Sequence, residues 1–246
     1  MMTQLSVVIP AFNEAERLPR TLCEAYDWLS DHYDGTFEII VVDDGSTDDT
    51  RQRIEALLPT RPCVTMLPAH VNVGKGGAVR RGMLAANGAV RLFMDADHST
   101  HIREVNKVLP ALHAGADVVI ASRQHPDSDI SCHQSWLREH MGMSFNLLMK
   151  TCVDLSFLDT QCGFKAFSAR AAEAVFSRAK LDGFSFDVEL LFLAQRLGLN
   201  IEEIPVQWVN EPNSKVRILI DPLIMLGDII RIRHLHRATN LSSKEP

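Results

Sequence analysis

Three carboxylate-bearing segments each follow a short apolar run: Asn13-Glu14 after residues 5–10, Asp43-Asp44 after 37–42, and Asp95-Ala96-Asp97 after 90–94. One such segment is an ordinary turn, since Asp and Asn are common turn formers. Three at strand ends in the same half of an α/β sheet converge on one crevice, where carboxylates repel unless a cation or hydrogen-bond donors compensate them. Asp-x-Asp at a strand end offers hard oxygen ligands suited to Mg2+ or Mn2+, which in turn neutralise substrate phosphates. Gly74-Lys75-Gly76-Gly77 gives backbone and ammonium access to a phosphate or a base, although its spacing is not that of a Walker loop. A dinucleotide oxidoreductase would carry G-x-G-x-x-G after the first strand, where this chain reads Ala11-Phe12-Asn13-Glu14.

These residues need elements to position them. Strand-like runs at 5–10, 37–42, 63–67, 90–94 and 117–121 alternate with helical periodicity at 14–29, from Thr47 or Asp48 through Leu58, at 76–86 and at 102–114. In the helix expected over 14–29, Leu18, Leu22, Ala25 and Leu29 share one face. Nearly all-apolar strands in repeated βα units predict an α/β fold with a mainly parallel central sheet and helices on both faces. Further on, the pattern predicts helices at 135–153, 186–197 and 221–237, a polar loop at 159–165 followed by a short helix, and a strand at 201–209. Without a repeat or linker, residues 1–220 read as one catalytic domain and 221–246 as a C-terminal helix and tail.

The 246 residues carry 25 basic and 31 acidic side chains, and a net charge of −6 argues against a nucleic-acid partner. No apolar run approaches the roughly 18–20 residues that span a bilayer, and the first residues lack the basic region of a signal peptide. Five scattered cysteines read as reduced thiols. The expected location is cytoplasmic.

The segments Val8-Ile9-Pro10-Ala11-Phe12-Asn13-Glu14, Val42-Asp43-Asp44-Gly45-Ser46-Thr47-Asp48, Asn72-Val73-Gly74-Lys75-Gly76 and Met94-Asp95-Ala96-Asp97, in this order, resemble the signature of inverting family 2 glycosyltransferases. The chain is most similar to the branch that glycosylates dolichyl or other polyprenyl phosphates. Ala121-Ser122-Arg123 supports that branch, and DTQCGFK at 159–165 and FDVELL at 186–191 lean toward its glucosyl type. The resemblance runs from about residue 4 to 230 and implies a GT-A fold, the Rossmann-like fold of nucleotide-diphospho-sugar transferases.

It also implies roles. Pro10, Phe12, Glu14 and Asp43 would hold the uridine or guanosine of UDP-glucose or GDP-mannose, with Asn13, Asp44 and Lys75 nearby. Asp95 and Ala96 would meet the ribose or sugar, and Asp97, with Asp95 beside it, the Mg2+ or Mn2+ on the diphosphate. Ser99 stands where mannosyl relatives often carry a glutamine, and His98 and His101 read as surface or capping residues. Arg123 and Arg138 match residues that receive the acceptor phosphate, and Lys215, between Ser214 and Arg217, falls in the loop that closes over the donor. Asp159, Gln161 and Asp187 would bond sugar hydroxyls.

A phosphate oxygen is already ionised near neutral pH, so its attack on the anomeric carbon needs no strong base. Asp187 or Glu189 would serve as one if the acceptor were a hydroxyl. A polyprenyl phosphate acceptor requires a membrane surface or a membrane partner protein. Residues 135–153 and 221–237, the latter with Leu226 and Ile230 beside Arg231, Arg233 and Arg237, suit peripheral attachment on the cytoplasmic face. The other expectations are a family 2 enzyme acting on a hydroxyl acceptor and a non-catalytic sugar-nucleotide-binding subunit.

Overall fold

A computed structural model describes residues 3–131, 153–209 and 221–237, with backbone only at 221–226 and 230. The strands are β1 (Leu5–Ala11), β2 (Phe37–Asp43), β3 (Val64–Pro68), β4 (Val90–Met94), β5 (Val118–Ser122), β6 (Asp129–Ile130), β7 (Phe164–Ser168), β8 (Ile201–Pro205) and β9 (Gln207–Trp208). The helices are α1 (Leu18–His32), α2 (Thr50–Glu55), α3 (Lys75–Ala85), α4 (Val105–His113), α5 (Ala169–Phe176), α6 (Phe186–Arg196) and α7 (Asp221–Leu235), with 3-10 turns at Leu58–Thr60 and Ile102–Glu104. Seven strands form one sheet in the order β3-β2-β1-β4-β7-β5-β8, and β6 pairs with β9 in a small second sheet.

Apolar residues cover both faces of the large sheet. From β1, Val7 and Ile9 pack with Leu22, Leu29, Val105 and Val108 of α1 and α4. The intervening Val8 packs with Val79 and Met83 of α3 and with Val188 and Leu191 of α6. The period of two along each strand sends alternate side chains into these two cores, which is why the strands read as continuous apolar runs. Ile229 and Ile232 of α7 are fully buried in the second core.

Several boundaries differ from expectation. Helix α1 starts at Leu18 rather than residue 14, with Pro19 in its first turn, where a missing N–H costs nothing. Before it, the Glu14 carbonyl accepts from the N–H groups of Arg17 and Leu18. The strand expected over 201–209 divides between the two sheets as β8 and β9. The larger difference is β7, which occupies part of the expected loop and runs antiparallel between β4 and β5. A five-residue run with lysine at its second position does not read as a central strand, and that lysine is tolerated only because it is paired in the folded protein.

Candidate active site

Because β2, β1 and β4 are adjacent and parallel, their carboxyl ends form one edge and bring together Phe12-Asn13-Glu14, Asp43-Asp44 and Asp95-Ala96-Asp97. The Asp44 N–H donates to the Ala11 carbonyl at 2.8 Å. Its carboxylate accepts from the N–H groups of Val73 (3.1 Å) and Gly74 (2.8 Å), which holds the start of α3 against the edge. Burial raises the Asp44 pKa against the pull of these two donors. At Gly74 (φ 107°) a Cβ would lie 2.4 Å from the Asp182 carbonyl, so only glycine fits there.

Asn13, in the left-handed region (φ 54°), receives the Thr47 N–H on Oδ1 at 2.8 Å and donates its own N–H to Ser46 Oγ at 2.9 Å. The Glu14 carboxylate is bidentate with Arg17, at 2.7 and 2.6 Å. Asp43 is buried and accepts the Ser46 N–H at 3.0 Å. Pro10 and Ala96 are buried, whereas the Phe12 side chain is exposed at the rim. The first two strand-end loops are thus knitted to each other.

At the third strand end, Lys75 Nζ lies 2.5 Å from Asp95 Oδ1. Burial works against this ammonium, but Asp95 first and then Asp187 hold its pKa above the usual lysine range. Asp97 accepts the Ser99 N–H at 3.0 Å, yet burial and the neighbouring Asp95 push its carboxyl pKa up. Partly buried oxygens that repel one another are the donor set a hard divalent cation satisfies, so Asp97 and Asp95 fit Mg2+ or Mn2+.

A second wall comes from the 159–165 loop, β7 and α6. The Asp95 N–H donates to the Gly163 carbonyl at 3.1 Å. A Cβ on Gly163 would fall 2.0 Å from the Asp95 carboxylate, so the loop lies directly on that side chain. Lys165, fully buried, donates from Nζ to Asp187 Oδ1 (2.5 Å) and to the Cys162 carbonyl (2.6 Å), and stands 5.5 Å from the Phe93 ring centroid. Burial raises the Asp187 pKa, opposed first by Lys165 and then by Lys75. Asp97, Asp95, Lys75, Asp187 and Lys165 therefore form a run of interacting charges from the sheet edge to α6.

Arg123 grips buried Asp159 through Nε (2.6 Å) and Nη2 (2.9 Å), 5.6 Å from the Trp208 ring. Burial alone would raise the Asp159 pKa, but the guanidinium holds it down at about 2. The Gln161 N–H also donates to Asp159, at 3.0 Å. Glu189 differs from the expectation of a possible base. It is fully buried, accepts the Lys180 and Leu181 N–H groups, and meets His236 Nε2 at 2.7 Å. Its oxygens tie α6 to α7 and are spent. Arg138, Lys215 and all but the last residue of the helix expected over 135–153 lie outside the described residues, as do the side chains of Leu226 and Ile230. Sequence reasoning missed Lys165 and Gly163 as site residues, although a lysine directly after Gly-Phe in an otherwise apolar run was the available signal.

The sequence model described as "Glycosyl transferase family 2" matches residues 6–176. The chain belongs to this family. A dolichyl-phosphate beta-glucosyltransferase of Dictyostelium discoideum is 36% identical over 240 residues, covering 93% of this chain and 73% of the relative. The enzyme of the same name from Homo sapiens is 34% identical over 257 residues, covering 97% of this chain and 78% of its own. Glucosyl-3-phosphoglycerate synthase from Mycobacterium tuberculosis, solved with Mn2+, uridine diphosphate and phosphoglyceric acid, superposes with a TM-score of 0.68 at 23% identity, over 99% of this chain and 80% of that one. The same synthase solved with Mn2+, UDP-glucose and phosphoglyceric acid gives 0.69 at 22% identity, over 99% and 81%. The fold of this family 2 glycosyltransferase is therefore GT-A, with a mostly parallel seven-stranded sheet.

Proposed function

We propose that this glycosyltransferase moves glucose from UDP-glucose to dolichyl, or another polyprenyl, phosphate with inversion at the anomeric carbon. The observation that carries the reading is its similarity, over more than nine-tenths of the chain, to enzymes named for that transfer. Glucose is preferred to mannose on the same ground.

The site's own chemistry supports it. An acceptor phosphate oxygen forms the new bond to the anomeric carbon while the bond to the diphosphate breaks, and the diphosphate leaves with the electron pair. The acceptor oxygen is already anionic, so alignment and charge stabilisation supply the catalysis. Phe12 and Asp43 border the nucleoside, with Asn13, Glu14 and Asp44 shaping the loops around it. Lys75 and Asp95 sit where the diphosphate and sugar meet, and Asp97 would hold a divalent cation with Asp95 beside it. Such a cation, when bound, neutralises charge on the diphosphate. Lys165 holds the Asp187 carboxyl in place, where it can hydrogen-bond sugar hydroxyls, as can Gln161. Arg123, anchored by Asp159, presents a guanidinium suited to the acceptor phosphate. Arg138 and Lys215 are proposed as its partners at the acceptor and the departing diphosphate.

Among the described residues no helix is long and apolar enough to cross a membrane. The proposed contact with the lipid is peripheral, on the cytoplasmic face, through exposed Arg231, Arg233 and Arg237 of the C-terminal segment (221–246) facing anionic headgroups.

The deciding experiment offers UDP-glucose or GDP-mannose, with Mg2+, to dolichyl phosphate and separately to 3-phosphoglycerate. The expected product is a β-linked glucosyl phospholipid from UDP-glucose. Transfer only to the hydroxyl of phosphoglycerate, or only from GDP-mannose, would overturn the reading.

A further inference from the structure

We propose that Glu24, His98 and His101 form a second cation site, for a transition metal of the Zn2+ class, joining α1 to the loop that carries Asp97. It is separate from the donor site and does not rest on the identity of the sugar or acceptor.

Glu24 lies in α1, and the two histidines follow Asp97 in the loop before the 3-10 turn Ile102–Glu104. His98 Nε2 is 2.7 Å from Glu24 Oε2. The two imidazoles meet edge to face with centroids 5.1 Å apart. One potential ligand atom from each of the three residues falls within 4.8 Å of the others. All three side chains are half-buried, so an ion can enter from solvent and exchange part of its water for protein ligands.

The surroundings are already arranged for this. Arg20 Nε holds Glu24 Oε1 at 2.8 Å, which orients the carboxylate and leaves Oε2 toward His98. His98 Nδ1 is buried and meets no hydrogen-bond partner among the described residues. The backbone at His98 is left-handed (φ 64°), a conformation that bends the loop back at this point. His101 Nδ1 accepts the Arg103 N–H at 3.0 Å, in an exposed bond that water can replace when the ring turns its lone pair to an ion. Helix and loop are also joined nearby, since Thr21 Oγ1 donates to the Ala96 carbonyl at 2.8 Å. An ion on Glu24 would therefore brace a contact that already exists.

The donor set separates the two sites by chemistry. Two imidazole nitrogens and one carboxylate, with a fourth position for water, make a typical Zn2+ environment, and Co2+ substitutes there readily. Asp95 and Asp97 offer oxygen alone and select Mg2+ or Mn2+.

The test is a Co2+ titration of the whole purified protein in excess Mg2+, which occupies the oxygen site and has no visible spectrum of its own. The expected result is one equivalent of Co2+, bound with a visible ligand-field band that Zn2+ displaces. Glu24→Gln and His101→Ala, each checked for folding by circular dichroism, should each weaken Co2+ binding by on the order of 100-fold. Asp97→Ala should retain the band. No band in the wild type, or a band lost in Asp97→Ala yet kept in Glu24→Gln and His101→Ala, would overturn the proposal, because the ion would then belong to the donor site. None of these readouts uses glycosyl transfer, so failure here leaves the proposed function standing, and the reverse also holds.

Discussion

Lys165 Nζ lies 2.5 Å from Asp187 Oδ1, and this fully buried lysine joins the central antiparallel strand β7 to the start of α6. Neither charge could be there alone. Removing one partner of a buried pair leaves the other uncompensated, at a cost of about 3–5 kcal/mol, whereas replacing both with apolar residues is often close to neutral. Lys165→Met should therefore lower stability by about that amount in urea unfolding. Lys165→Met combined with Asp187→Leu should recover much of the stability while remaining inactive. A single variant as stable as the wild type would show that the pair does not hold α6.

The Arg123–Asp159 pair sets an acid limit. The Asp159 pKa is held down from 3.8 to about 2 in the folded state. A depressed carboxylate contributes stability that is complete above the unfolded-state pKa and is lost as pH falls through the folded-state value. Its share is about 2 kcal/mol, present above roughly pH 5 and lost toward pH 2. Arg123→Ala should cost about 3–5 kcal/mol at neutral pH, and the gap to the wild type should narrow in unfolding curves taken below about pH 4. A gap that does not change with pH would contradict the assignment of Asp159 as the titrating partner.

Asp97→Ala should reduce glucosyl transfer by on the order of 1,000-fold and remove the effect of Mn2+ on UDP-glucose binding measured by calorimetry. A chelator should silence the wild type, with Mg2+ or Mn2+ restoring it. Full activity in this variant would sink the cation role of Asp97.

Gly163→Ala places a methyl group where the Asp95 carboxylate now lies, 2.0 Å from Oδ2. Asp95 must move and draw Lys75 with it, since the two are 2.5 Å apart. The expected cost is about 1–3 kcal/mol in stability, together with weaker UDP-glucose binding. Unchanged donor affinity would mean that the Asp95–Lys75 pair lies outside the donor site.

Sedimentation with vesicles tests the membrane contact. Wild-type protein should pellet with anionic vesicles at low salt and be partly released at high salt, because surface attraction is screened. Reversing Arg231, Arg233 and Arg237 to Glu should weaken pelleting, with about 1 kcal/mol lost per basic group at the surface. A triple variant that pellets like the wild type would move the contact away from α7.

The alternation of β-branched runs with helical periodicity determined a mainly parallel sheet from sequence alone. Local turn chemistry put Asn13, Asp43 and Asp97 at strand ends, because strand termini and turn residues are decided by near neighbours. The order of the strands is not local. That β2, β1 and β4 stand side by side, making one site of three loops, depends on pairings between segments tens of residues apart. Strand β7 was illegible because Lys165 argues against a buried strand until Asp187, 22 residues later, arrives to neutralise it. Glu189 was ambiguous for the same reason. Two residues from Asp187 in sequence it reads as a second candidate base, but about half a turn of helix directs it to His236, 47 residues on. A carboxylate's role is set by which charge or donor comes within hydrogen-bond distance once the chain has folded, and only the tertiary structure supplies that distance.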